Sequence, residues 1–116
     1  MADWYVTHLG FSVARSGGAP AHGRFLLDDS GSVMVEIYHN PDVTVPDYTV
    51  LSPFHLHLAF VSEDPAADRD RLVKAGARVF DDVTTAPNGD RIMMLRDPWG
   101  VPLQFVQRTR PMLPAE

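Results

Sequence analysis

The side chains able to do chemistry fall on three short alternating runs. In a strand, successive side chains point to opposite faces. The run Phe54 to Val61 therefore puts His55, His57 and Ala59 on one face and Phe54, Leu56, Leu58 and Phe60 on the other. Val33 to Tyr38 puts Met34, Glu36 and Tyr38 together, and Val101 to Gln107 sets Pro102, Gln104 and Val106 against Val101, Leu103 and Phe105. Imidazole suits iron, nickel or zinc, while carboxylate and carbonyl oxygens extend the choice to manganese. A carboxylate or imidazole can also move protons. The chain has no cysteine, which excludes a disulfide framework, thiolate zinc and a Cys nucleophile.

The elements that must position these residues can be read along the chain. Residues 2–9 carry Trp4, Tyr5 and Leu9 on one face of a 3.6-residue period, and Gly10 is placed to stop that helix. Strands are expected at about 11–15, 24–28 and 33–38, the last two joined as a hairpin through Asp29-Ser30-Gly31. Residues 41–53, with three prolines, read as a linker. A strand at 54–61 follows, then a helix from Asp64-Pro65, an N-cap and a first-turn proline, to about Ala75 and Gly76. Strands at 78–83, 91–95 and 101–107 are joined by an Asn88-Gly89 turn and by Asp97-Pro98-Trp99-Gly100. Residues 108–116 read as an irregular tail.

Composition narrows the classes of function. The chain has 116 residues, 45% hydrophobic and 22% charged, the balance of one globular domain. Its ten basic residues, nine of them Arg, are scattered, and the net charge is −5. No basic stripe is present for a phosphate backbone or a membrane surface, so neither nucleic acid nor membrane is an expected partner. No apolar run reaches the roughly 20 residues that span a bilayer, and the first residues lack the pattern of a signal peptide. A cytoplasmic location is expected, with a small molecule as the partner.

The two halves repeat one order of elements: helix, Gly stop, two strands, turn, strand. Gly10 to Glu36 is 26 residues and Gly76 to Gln104 is 28. The second half begins with an extra strand, whose counterpart would fall before Met1. Trp4-Tyr5 through Leu9-Gly10-Phe11, Val33 to Tyr38, His57-Leu58-Ala59-Phe60 with Asp64, and Asp97-Pro98-Trp99-Gly100 through Gln104 resemble motifs of the vicinal oxygen chelate superfamily. That superfamily includes glyoxalase I, bleomycin-resistance proteins, fosfomycin-resistance enzymes and extradiol dioxygenases. The resemblance implies an α+β fold of paired βαβββ modules forming a curved, funnel-like mixed sheet, the first module lacking its opening strand. The single domain would comprise a truncated module at 1–40, the linker, a full module at 54–107 and the tail. The absent strand either precedes Met1 in a longer native protein or has been lost.

The resemblance further implies that Glu36, His57 and Gln104 face inward and hold one divalent ion (nickel, manganese, zinc or iron). The metal would act as a Lewis acid on a vicinal-oxygen substrate in a lyase- or isomerase-like step, with Glu36 as the catalytic base. Met34, Tyr38, His55 and Trp99 would line the substrate pocket. Gln104 stands where the family usually has Glu, and the opening-strand ligand is absent, which disfavours an extradiol dioxygenase. Each residue has a plainer reading: His57 as a hydrogen-bonded histidine, Glu36 as a solvated strand residue, Gln104 as a polar pocket residue. The alternative function is a metal-free protein that sequesters a small planar compound, as bleomycin-resistance proteins do. A symmetric homodimer is expected, because an open sheet edge needs protection.

Overall fold

A computed structural model of the chain describes residues 1–113. The chain forms two compact units, divided between Pro46 and Asp47.

The first unit opens with helix α1 (Ala2–Leu9), which ends at Gly10 in a left-handed conformation, φ 75°. A glycine adopts that conformation without the Cβ clash that other residues meet. Tyr5 is buried on the inner face of α1, its ring 6.0 Å from that of Phe11. Strands β1 (Ser12–Ser16), β2 (Arg24–Leu27) and β3 (Met34–Ile37) form an antiparallel sheet in the order β1-β2-β3. The β2–β3 turn is tied by Asp28, whose Oδ1 accepts from the Ser30 hydroxyl at 2.7 Å and from the Val33 N–H at 3.3 Å. Leu26 on the central strand is fully buried. The unit is thus αβββ, three strands without an opening one among the described residues.

The second unit begins inside the segment read as a linker. A short 3₁₀ turn, Tyr48–Val50, is capped by Asp47, which accepts from the Thr49 N–H at 3.0 Å. Strand β4 (Leu58–Val61) leads to helix α2 (Pro65–Lys74), then β5 (Arg78–Thr85), β6 (Arg91–Arg96) and β7 (Pro102–Gln107). Asp64 caps α2 through the Ala67 N–H, and Pro65 opens it, as the sequence predicts. The sheet order is β4-β7-β6-β5, with β4 parallel to β7 and the other pairs antiparallel. This is a complete βαβββ module. Leu72 of α2, Met93 and Leu95 of β6 and Leu103 of β7 are fully buried. Burying each such side chain is worth roughly 1.5–3 kcal/mol. Phe60 and Phe105, cross-strand neighbours, stack at 5.4 Å.

Two local readings change. The strand expected at 54–61 starts only at Leu58; Pro53 to Leu56 form turns in which the His55 and Leu56 N–H groups bond back to the Ser52 carbonyl. The Ser52 hydroxyl also accepts from the Phe54 N–H at 3.2 Å. A hydroxyl offering the backbone a local partner competes with a ladder, so alternation in sequence does not become a strand here. Phe54 and Leu56 are exposed rather than packed under a helix. The first residues of the tail are tied down. Buried Asp90 accepts from the Thr109 N–H at 2.9 Å and hydroxyl at 3.2 Å, from the Asn88 amide and from Arg108. Residues 114–116 of that tail lie outside the described residues.

Candidate functional site

The β6–β7 turn builds one wall of a cleft within the second unit. Asp97 Oδ1 accepts from the Trp99 and Val101 N–H groups, both at 2.9 Å, and its carbonyl accepts from the Gly100 N–H. The turn holds Trp99, a residue 43% exposed to solvent. Glycine suits position 100: its φ is 92°, and a Cβ there would stand 2.7 Å from Thr49 Cγ2. The opposite wall is the start of β5, with Arg78, Val79 and Phe80. The cleft has a volume of about 410 Å³.

Arg96, at the end of β6, forms the floor. Its guanidinium donates from Nη1 to the carbonyls of Tyr48 at 2.8 Å and Gly100 at 3.1 Å, and from Nη2 to that of Leu51 at 2.9 Å. One side chain thereby fastens the 3₁₀ segment to the turn. The same guanidinium lies 5.6 Å from the Phe80 ring centre, a cation–π contact, and Phe54 meets Phe80 edge to face at 6.0 Å. The Thr49 hydroxyl and N–H, with the Arg96 charge as a lesser cause, hold the Asp47 carboxyl below the usual carboxylate range.

Of the expected pocket residues, Trp99 lies on this cleft. His55 sits on the exposed turn before β4 rather than on a strand face. Met34, Glu36 and Tyr38 do alternate onto one face, at and just beyond β3, and that face is exposed. His57 precedes β4 and is half-buried; its Nδ1 lies 2.7 Å from the Pro53 carbonyl. A carbonyl cannot donate, so Nδ1 carries the proton in this contact, and Nε2 is the ring nitrogen left for another partner. Gln104 is half-buried on β7, opposite Ala59 of β4 and Met94 of β6. Arg78, Phe80 and Arg96 were absent from the sequence expectation. The signal for them was weak: two arginines near strand ends, at positions that become partners only once β5 and β6 are in register.

The donors present test the expected metal. Among the described residues, no group of three or more His, Asp or Glu side chains stands close enough to hold an ion. Of the three expected ligands, the second unit holds His57 and Gln104, and Glu36 lies in the first unit. Protein sites for these ions generally use three or four protein ligands. His57 and Gln104 alone fall short of such a set.

The sequence profile of the Glyoxalase/Bleomycin resistance protein/Dioxygenase superfamily matches residues 1–105. The chain belongs to this superfamily. No curated protein matches it in sequence. Among solved structures it is similar to SMU.1112c, at 28% identity and a TM-score of 0.69, over 90% of this chain and 86% of that one. It is also similar to a glyoxalase family protein from Enterococcus faecalis, at 27% identity and a TM-score of 0.65, over 89% and 82% of the two chains. A glyoxalase I variant from Zea mays shares the fold at 20% identity and a TM-score of 0.72; 94% of this chain covers 40% of that one. The superfamily's α+β architecture is therefore the architecture here, with two helices and two sheets. No described helix is long and apolar enough to cross a membrane.

Proposed function

We propose that this superfamily member binds a small planar compound in the cleft between β5 and the β6–β7 turn, without requiring a metal. The observation that carries this reading is the pair of part-exposed aromatic rings, Phe80 and Trp99, on a cleft whose floor is a pinned guanidinium. Ligand sites are concave and apolar with a few fixed polar groups. A flat ring can stack on indole or phenyl at little conformational cost, because the walls are already fixed by Asp97 and Arg96. The test is quenching of tryptophan fluorescence by 2-naphthamide in chelator-treated protein. One saturable site is expected, weakened about tenfold by Phe80→Ala and, read by calorimetry because the reporting indole is gone, by Trp99→Ala. Quenching that never saturates, or that survives both substitutions, contradicts the reading.

A second reading keeps the metal and rests on the His57 tautomer. A ligating histidine commonly donates its other ring N–H to a carbonyl, as Nδ1 does to Pro53. The donors would be Glu36, His57 and Gln104, with Glu36 also the base of a lyase- or isomerase-like step. Nickel, manganese, zinc and iron titrations of wild-type protein and of His57→Ala test it: about one ion per chain, lost in the variant, supports it. Both readings are compatible with a cytoplasmic homodimer, which light scattering at high concentration checks.

A further inference from the structure

The cleft has a charge character that its aromatic walls alone do not specify. Arg78 and Arg96 are directly opposed partners on β5 and β6. Like charges at opposed positions of an antiparallel pair are destabilising, and neither guanidinium forms an ion pair with a carboxylate among the described residues. Arg96 directs its hydrogen bonds to three neutral carbonyls and to no carboxylate. Arg78 is exposed and makes no ion pair with any described residue.

Three nearby carboxylates are engaged elsewhere, and Asp81, beside Phe80 on β5, is exposed to solvent. Asp97 is the one acidic residue on the cleft; it is 2% exposed and turned into its own loop, where it accepts from the Trp99 and Val101 N–H groups. Asp47 accepts from the Thr49 hydroxyl and N–H. Asp82, further along β5, is bridged to Arg69 at 2.7 Å. An acidic chain of net charge −5 thus carries a small cationic cleft beside two aromatic rings.

From this arrangement we infer that the ligand is an anionic aromatic compound, a flat ring bearing a carboxylate or a group of like charge, whose ring stacks on Trp99 and Phe80 and whose charge meets Arg78. The inference rests on the cleft being the binding site. Arg78 supplies the anion contact because its donors are uncommitted, whereas Arg96 is held by the backbone and contributes its charge. A guanidinium suits the role: its planar fork matches a carboxylate and its face tolerates a neighbouring ring.

The experiment compares three probes of nearly equal area by calorimetry: 2-naphthoate, 2-naphthamide and 2-naphthylmethylammonium. The expected order is naphthoate tightest, by about threefold to tenfold over the amide as befits a part-exposed charge pair, with the ammonium weakest. Arg78→Gln should bring the naphthoate-to-amide ratio down towards one, and Arg78→Lys should restore part of the ratio. Raising salt should shrink the ratio in wild-type protein only. If the three probes bind equally, or if Arg78→Gln leaves the ratio intact, the charge assignment is wrong and the cleft stands. If none of the three binds, the cleft itself is not the site and both readings fall.

Discussion

The two units are built from nearly the same elements and differ in what their sheets bury. In the second unit, the middle strands β6 and β7 are buried along most of their length, with α2 packed on them. In the first, every residue of β1 is exposed, as are Met34 and Glu36 on β3, and the buried apolar side chains are Tyr5, Phe11 and Leu26. The second unit has four strands and a ten-residue helix; the first has three strands and an eight-residue helix. Edge strands are exposed in both units, β5 as well as β1; the first sheet has one strand flanked on both sides and the second has two. The unit with the more buried middle strands also carries the cleft whose turn is pinned by a guanidinium.

The largest expected effect breaks the second unit's core. Leu95→Ala should cost about 2–5 kcal/mol, the range for deleting a fully buried leucine, read as a lowered urea midpoint. Next comes the fastening of the cleft. Arg96→Ala would leave three carbonyls without their donor and should cost about 1–3 kcal/mol. It should also abolish naphthamide binding, which separates scaffold from surface. Gly100→Ala should cost about 1 kcal/mol or more, because a left-handed φ and a 2.7 Å approach to Thr49 both oppose a Cβ. Met34→Ala, on the exposed face of the first unit, should change stability by no more than about 0.5 kcal/mol. A Met34 effect as large as that of Leu95 would erase the contrast between the units.

Acid sharpens the comparison further. The Thr109 N–H, assisted by the Thr109 hydroxyl and Asn88, depresses the Asp90 carboxyl below the usual carboxylate range. A carboxyl depressed in the folded state stabilises fully above its unfolded pKa, near 3.8. That stability is lost as the pH falls below 3.8 through the folded value. Urea midpoints measured from pH 5 downward should show the loss in wild-type protein, and a smaller one in Asp90→Asn.

Much of the fold was legible because its punctuation is local. Gly10, Asp64-Pro65, Asn88-Gly89 and Asp97-Pro98-Trp99-Gly100 each act within a few residues, and each does in the structure what its chemistry predicts. The stretch from 47 to 57 was not legible for the opposite reason. Its conformation is held by Arg96, some 45 positions away, and by a Ser52 hydroxyl that competes with strand pairing. The alternating histidines imitate a strand, and periodicity alone does not distinguish that from a turn followed by a shorter strand. At the site, Trp99 was expected on a pocket wall, and it lines the cleft. The arginines were not, because like charges on facing strands are visible only after the β5–β6 register, with its bulges, is known.

The claim that the cleft of the second unit is the binding site is tested most directly by two-dimensional amide NMR of the chelator-treated protein during a 2-naphthamide titration. The account predicts that the largest shifts cluster at Phe80, Arg96, Trp99 and Gly100, with the Trp99 indole N–H moving in step. Shifts centred instead on His57 and Gln104, or appearing only once a divalent metal is added, would contradict it.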